Sequence, residues 1–257
     1  MIRVEHATVS FGGLKAVNNL SFDIEDGQIT GLIGPNGAGK TTMFNAIAGH
    51  VPLSTGRIFL QDTDITALAP HARSKLGLAR TFQLPHEFAR LTVLENFMVS
   101  AAMPIGENVF NVVFRRGRFR GEERAAYHEA REMIELLEID HVADELAGNL
   151  SGGQKKLLEL GRALMTKPSI ILLDEIGAGI NRTLLAKLSE KILYLNRAKG
   201  LTFCLIEHDL DYVSKLCNSV VVMAQGELLM CGTVDEVRQD ERVIEAYFGG
   251  GKYEATA

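Results

Sequence analysis

The chain has 257 residues, enough for one large domain or two closely joined ones, and 46% of them are apolar, enough to bury a substantial core. Its 27 basic and 32 acidic side chains leave a net charge of −5, so there is no global basic field, which argues against nucleic acid as a partner. No apolar run reaches the ~20 residues of a membrane-spanning helix, and the start of the chain alternates like a strand with no signal-peptide core; the expectation is a cytosolic chain that meets a bilayer only through another protein.

Residues 1–68 read as an antiparallel β region, with strands over 3–11, 20–24 and 56–60 and a turn at Asp26 and Gly27. It is interrupted by an apolar run over 29–33, the loop Gly34, Pro35, Asn36, Gly37, Ala38, Gly39, Lys40 and Thr41, and a helix over 42–48 capped by Gly49. A glycine, four residues and then Gly-Lys-Thr between a strand and a helix is the P-loop pattern. Gly34, Gly37 and Gly39 let the backbone take positive φ and approach an anion, so that N–H groups and a helix start face phosphates. Lys40 supplies a mobile positive charge for the β- and γ-phosphates. Thr41 carries a hydroxyl suited to Mg²⁺, and Thr42 follows one position into the helix. Phe11, which closes the first strand, either stacks on an adenine ring or joins the core.

Gln83 stands where the β region gives way to helices. A neutral amide there can ligate Mg²⁺ or orient water, and its withdrawal would move the helical segment that follows. Residues 84–149 read as helical: Thr92 and Glu95 form a capping box, and Ala126, Ala130, Met133, Ile134 and Leu137 recur at helical spacing. The intervening 101–121 carries Arg115, Arg116, Arg118 and Arg120, a cluster that fits either a solvated loop or a contact with anionic lipid headgroups.

Ser151 and Gln154 form a second capping box, opening a helix that must stop near Pro168. A well-made helix start explains that pair, but glycines at 152 and 153 weaken a first turn unless the backbone approaches something. Ser151, Gly152, Gly153 and Gln154 therefore read as a second phosphate cradle. The P-loop already occupies this subunit's nucleotide, so the second cradle serves a neighbouring subunit's.

Beyond it, apolar runs over 169–173, 201–206 and 219–223 alternate with helices, as a parallel sheet covered on both faces requires, with the ligand at the strands' carboxyl ends. The first run ends in Asp174 and Glu175, the second in Glu207 and His208. Asp174 can hold Mg²⁺ directly or through water, and Glu175 can take a proton from water attacking the γ-phosphate. His208 can contact that phosphate and help place the water, or be structural. Cys204, Cys217 and Cys231 are odd in number, lack CxxC spacing and read as buried thiols.

Together these residues resemble the ATP-binding cassette (ABC) ATPases over nearly the whole chain: Walker A at 34–41, Q-loop at Gln83, signature at 150–154, Walker B at 170–174 followed by Glu175, D-loop near 178–181 and switch histidine at His208. Within that family the segments 11–16, 78–83, 205–209 and 243–249, and the long insertion before Leu150, are most similar to the ATP-binding subunits of branched-chain (hydrophobic) amino acid importers. Ile176 stands where proline is common and Asn181 where the D-loop often ends in aspartate.

The resemblance implies an α/β P-loop NTPase with a RecA-like parallel sheet core, an amino-terminal antiparallel β subdomain and an inserted α-helical subdomain. The implied layout is one ATPase domain over 1–248, with β layer and core at about 1–82 and 159–248, a helical subdomain at about 83–158, and a flexible tail over 249–257. It implies ATP and Mg²⁺ as ligands and a head-to-tail dimer with an identical or related cassette, in which Ser151 and Gly153 close on the γ-phosphate held by the other subunit. It further implies integral membrane permease subunits, an indirect link to a solute-binding protein, and a peripheral place on the cytoplasmic face of the inner membrane. Urea, short amides and other amino acids are alternative cargoes. A nucleotide switch uncoupled from transport is the alternative of a different class, and the chain lacks the long coiled coil, second cassette or Asn-Lys-x-Asp reader that such proteins carry.

Overall fold

The computed structural model describes residues 1–81, 87–101 and 116–248, with backbone alone over 116–120. The Q-loop glutamine Gln83, Arg115 and the tail over 249–257 lie outside the described residues, as do the side chains of Arg116, Arg118 and Arg120. The chain divides into two compact units, one of Met1–Arg80, Ser169–Ile176 and Leu193–Ala257, the other of Thr81–Pro168 and Gly177–Ile192.

In the first unit β1 (Ile2–Phe11) and β2 (Leu14–Ile24) form a hairpin whose buried residues alternate with exposed ones, the mark of a sheet with one covered face. β2 is longer than expected: Asn18 and Asn19 hide it from the apolar pattern, Asn19 sitting at φ 50° beside an irregularity in the pairing. β3 (Ile29–Ile33) is buried throughout and leads into α1 (Lys40–Ala48), which stops at Gly49 in the left-handed conformation. β4 (Thr55–Leu60) and β5 (Thr63–Asp64) complete an antiparallel sheet in the order β2-β1-β4-β5. After α2 (Pro70–Lys75) comes β6 (Leu78–Arg80), a three-residue strand that the sequence does not announce.

The second unit is helical. α3 (Val93–Ser100) begins with the expected Thr92–Glu95 capping box. α4 (Arg116–Leu136) buries Ala126, Ala130 and Ile134 on one stripe. α5 (Gly152–Met165) carries Gly161, where a Cβ would stand 2.5 Å from the Phe97 ring and 2.7 Å from Leu137, so glycine is what lets α3 and the end of α4 close on it.

β7 (Ile170–Asp174), the helix α6 (Arg182–Lys199), β8 (Thr202–Ile206), α7 (Leu210–Leu216), β9 (Ser219–Ala224), β10 (Glu227–Gly232), α8 (Val234–Gln239) and α9 (Glu241–Phe248) follow. The larger sheet has the order β10-β9-β3-β8-β7-β6, parallel throughout except for β10, which returns antiparallel on β9. The first unit's core fills the space around α1: Met43, Phe44 and Ile47 cluster with Val4, Leu20 and Ile58 of the small sheet and Leu32, Leu172 and Ile206 of the large one. The two-sheet α/β architecture expected from the sequence is the one observed.

The cysteines need one correction. Cys204 is buried and Cys217 nearly so, its thiol pushed up to about 12 by burial and the Glu207 charge, but Cys231 is exposed because it lies on the antiparallel edge strand β10. Among the described residues no helix is long and apolar enough to cross a membrane.

Candidate nucleotide-binding site

β3 lies between β9 and β8, and β8 lies beside β7, all running the same way. Their carboxyl ends therefore deliver three turns to one edge of the sheet: the glycine loop after β3, Asp174 ending β7 with Glu175 after it, and Glu207 and His208 after β8.

The loop is shaped by positive φ at Gly34 (150°), Gly37 (80°) and Gly39 (95°). A Cβ at Gly34 would meet the Met223 carbonyl oxygen at 2.0 Å, and one at Gly39 the Ala16 oxygen at 2.4 Å, so backbone from β9 and β2 closes on the loop from behind. Ala38 is buried there and its carbonyl accepts from the Gly226 N–H at 3.1 Å. Asn36 and Gly37 form the exposed arc, with Pro35 half-buried. Gly39 caps α1 without any side-chain hydrogen bond, and no acid lies in the first turn, which leaves the positive end of the helix dipole facing outward.

Lys40 arches back over this loop, its Nζ donating to the carbonyls of Gly34 at 2.7 Å and Pro35 at 2.9 Å. Burial pushes its ammonium below the ordinary lysine range, against the opposing charges of Glu175 and Asp174. Those acids are thus electrostatic neighbours of the loop. Thr41 is exposed and Thr42 half-buried.

Asp174 is 2% exposed and accepts from Arg80 through Oδ2 at 3.0 Å. Glu175 is half-buried at φ 46°, rare for a residue with a side chain, and its N–H donates to Ile206 O at 3.1 Å. His208 is exposed, and Asp209 beside it caps α7 by accepting from the N–H groups of Asp211 and Tyr212. Phe11 is 53% exposed at the end of β1, so its ring does not join the core.

The second glycine turn lies in the helical unit. Ser151 and Gln154 form the capping box: the Ser151 N–H donates to Gln154 Oε1 at 2.9 Å, and the Gln154 N–H to Ser151 Oγ at 3.4 Å. Gly153 is buried, and a Cβ there would stand 1.7 Å from Leu184 Cδ2. Packing against Leu184 thus accounts for one of the two glycines that sequence reasoning gave to a phosphate. Gly152 is exposed, its Cβ position meeting only Gly179 O at 3.9 Å.

Sequence reasoning missed Arg80, which supplies the counter-charge to Asp174. Its signal was a basic residue directly after the apolar Leu78 and Ala79 and three positions before Gln83.

The first unit thus offers an outward helix start, a loop lysine and two acids, a set suited to a polyphosphate with a hard cation. The family described as "ABC transporter" matches this chain over residues 17–178, and the one described as "Branched-chain amino acid ATP-binding cassette transporter" over 227–253. The chain is similar to a probable branched-chain amino acid transport ATP-binding protein LivG of Archaeoglobus fulgidus, 38% identical over 97% of this chain and 95% of that protein. It is also similar to the high-affinity branched-chain amino acid transport ATP-binding protein BraF of Pseudomonas aeruginosa, 36% identical over 97% of this chain and 98% of that one. A solved nucleotide-free ATP-binding cassette from an ABC transporter superposes with a TM-score of 0.84 at 37% identity, covering 97% of this chain and 99% of its own. A cassette in its ADP conformation superposes with a TM-score of 0.82 at 37% identity, covering 97% and 98%.

Proposed function

The chain belongs to the ATP-binding subunits of ABC transporters, in the branched-chain amino acid branch, and as such is an ATPase; from that membership we propose how its residues carry out hydrolysis and what it drives. The observation that carries the reading is the delivery of the glycine loop, Asp174 with Glu175, and His208 to one edge of a single parallel sheet.

ATP binds with its phosphates over Gly34, Pro35, Asn36, Gly37, Ala38 and Gly39 and the start of α1, while Phe11 offers its exposed ring to the adenine. Lys40 exchanges its two loop carbonyls for phosphate oxygens, and Thr42 donates beside them. Thr41, Asp174 and Gln83 would hold Mg²⁺, which supplies charge to the phosphate oxygens when bound. The donor set fits: an exposed hydroxyl, a carboxylate and an amide are the oxygen ligands a hard cation takes. Glu175 takes the proton of the attacking water as its oxygen bonds to the γ-phosphorus; the bond to the β–γ bridging oxygen breaks, leaving ADP and phosphate. His208 steadies the γ-phosphate and that water.

The layout proposed is one ATPase domain over 1–248 with a helical subdomain at about 83–158. Two such subunits, identical or related, face head to tail over two Mg-ATP. Ser151, Gly152, Gly153 and Gln154 of each reach the γ-phosphate held by the other, and hydrolysis removes what favours closure. Integral membrane permease subunits convert that cycle into uptake of branched-chain amino acids, with this chain at the cytoplasmic face of the membrane. The 227–253 match and the names of the relatives support that cargo.

The test is turnover by the purified full chain with Mg-ATP, alone and with its permease. Glu175→Gln should retain ATP while turnover falls by about 10²–10⁴-fold; hydrolysis at the wild-type rate removes Glu175 from the role of base. Proteoliposomes that take up leucine no faster with ATP than without it refute the cargo.

A further inference from the structure

Arg80 has no part in the steps above, yet it is a buried cation against the carboxylate that the reading gives to the metal. It ends β6, in register with Leu172 of β7, two residues before Asp174. One guanidinium nitrogen donates to Asp174 Oδ2 at 3.0 Å and the other terminal nitrogen to Asn45 Oδ1 at 2.6 Å, with the arginine 7% and the aspartate 2% exposed. Asn45 belongs to α1, the helix that begins at Lys40. A single planar group therefore ties the acid at the end of β7 to the helix that carries the phosphate loop.

Two physical consequences follow from a guanidinium in that place. Its fork fixes direction as well as distance, so a carboxylate held at one oxygen loses freedom to turn. A buried carboxylate stripped of its cation is costly, so Arg80 also holds Asp174 in place before any nucleotide arrives. Lysine substitutes only in part, since one ammonium on a flexible stem can meet Asp174 but does not span two fixed acceptors as a rigid fork does.

We propose that Arg80 is a positioning residue of the ATPase centre, bridging Asp174 to α1 through Asn45 so that the carboxylate meets the magnesium nucleotide in one orientation. The proposal rests on the reading of Asp174 as a metal-holding residue. It separates two quantities: the metal-dependent part of nucleotide binding and turnover depends on the bridge, whereas the grip of the glycine loop on metal-free nucleotide does not.

The experiment compares Arg80→Met, Arg80→Lys, Asn45→Ala and Asp174→Asn in the full chain, reading binding of a fluorescent ATP analogue in EDTA, and ATP turnover against Mg²⁺ concentration. Arg80→Met should raise the Mg²⁺ needed for half-maximal turnover by about tenfold or more, the usual cost of losing a partner that orients a metal ligand. Arg80→Lys and Asn45→Ala should each raise it by about threefold, and their combination should be no worse than Arg80→Lys alone, because both cut the same bridge. Metal-free binding should stay within about twofold of wild type in every variant. If Arg80→Met does not fold, by circular dichroism, the lysine and Asn45 variants carry the test. An unchanged Mg²⁺ dependence in the folded Arg80 and Asn45 variants, or an equal loss of metal-free binding, overturns the proposal. Should Asp174→Asn also leave the Mg²⁺ dependence unmoved, the reading of Asp174 fails and takes the proposal with it; a shift in Asp174→Asn alone sinks only the role of Arg80.

Discussion

Two helices in this chain open on glycine turns, and the turns are built in opposite ways. At α1 the cap is Gly39, no side chain bonds the first turn, and Lys40 alone folds over the loop. At α5 the cap is Ser151, and Ser151 and Gln154 satisfy each other's backbone N–H groups from within the chain. An uncapped helix start awaits an anion, whereas a capped one is complete as folded. The glycines differ in the same sense. Gly34 and Gly39 are pressed by backbone oxygens that cannot move aside, Gly153 by the tip of the Leu184 side chain, and Gly152 by nothing closer than 3.9 Å. A glycine in the first turn is demanded by the fold behind it. In the second turn Gly153 is held to glycine by Leu184, and a side chain at Gly152 would meet only Gly179 O, at 3.9 Å.

The sharpest break in that comparison is Gly34→Ala. Its φ of 150° and the Met223 oxygen at 2.0 Å leave no relaxed place for a methyl group. Stability should fall by about 3 kcal/mol or more, with nucleotide binding lost, as read by denaturant unfolding and analogue titration. A loss below about 1 kcal/mol would mean the backbone behind the loop yields, and the contrast with α5 would weaken.

Gly153→Ala should cost less, about 1–2 kcal/mol, because Leu184 can rotate away from the new methyl. The Leu184→Ala change isolates the cause: if the two residues clash as the geometry indicates, the double variant is more stable than the sum of the two single losses, by a denaturant cycle. Additive losses would return Gly153 to a purely ligand-facing role.

These differences mark what the sequence could disclose. The strand-loop-helix around Lys40, both capping boxes and the acids at the end of β7 are legible because each is fixed by residues within a few positions, where spacing carries the physics. β6 escapes because three residues establish no period, and β10 because its apolar run of Leu228, Leu229, Met230 and Cys231 is too short to tell a strand from a helix segment and, on an edge, buries no alternate face. Arg80 finds its acid 94 positions along the chain, and Gly153 finds Leu184 on another helix, so neither pairing leaves a local trace. Phe11 is the intermediate case: a strand-end aromatic reads as core or ligand platform, and its 53% exposure decides against the core.

Ser151→Ala removes the cap that makes α5 self-sufficient and should cost about 1 kcal/mol, within the range for such losses. Turnover supplies the second measurement. If the hydroxyl also serves a neighbouring subunit's phosphate, activity at saturating Mg-ATP should fall well below what the folded fraction allows, and Ser151→Asp, which restores a cap but adds a negative charge, should recover stability without recovering turnover. Recovery of both by aspartate would reduce Ser151 to a helix cap.

Gly152→Ala is the smallest change to the fold and the finest probe of the second turn. Nothing lies within 3.9 Å of the added carbon, and alanine is a better helix former than glycine, so stability should stay within about 0.5 kcal/mol of wild type or rise. Whatever turnover is lost then has no origin in folding. If a neighbouring subunit's phosphate meets that exposed backbone, the loss should appear in turnover and in ATP-dependent dimerisation by light scattering, with nucleotide affinity of the separate subunit unchanged. Wild-type turnover and dimerisation in this variant would leave α5 with a well-capped start, a packing glycine and no phosphate to grip.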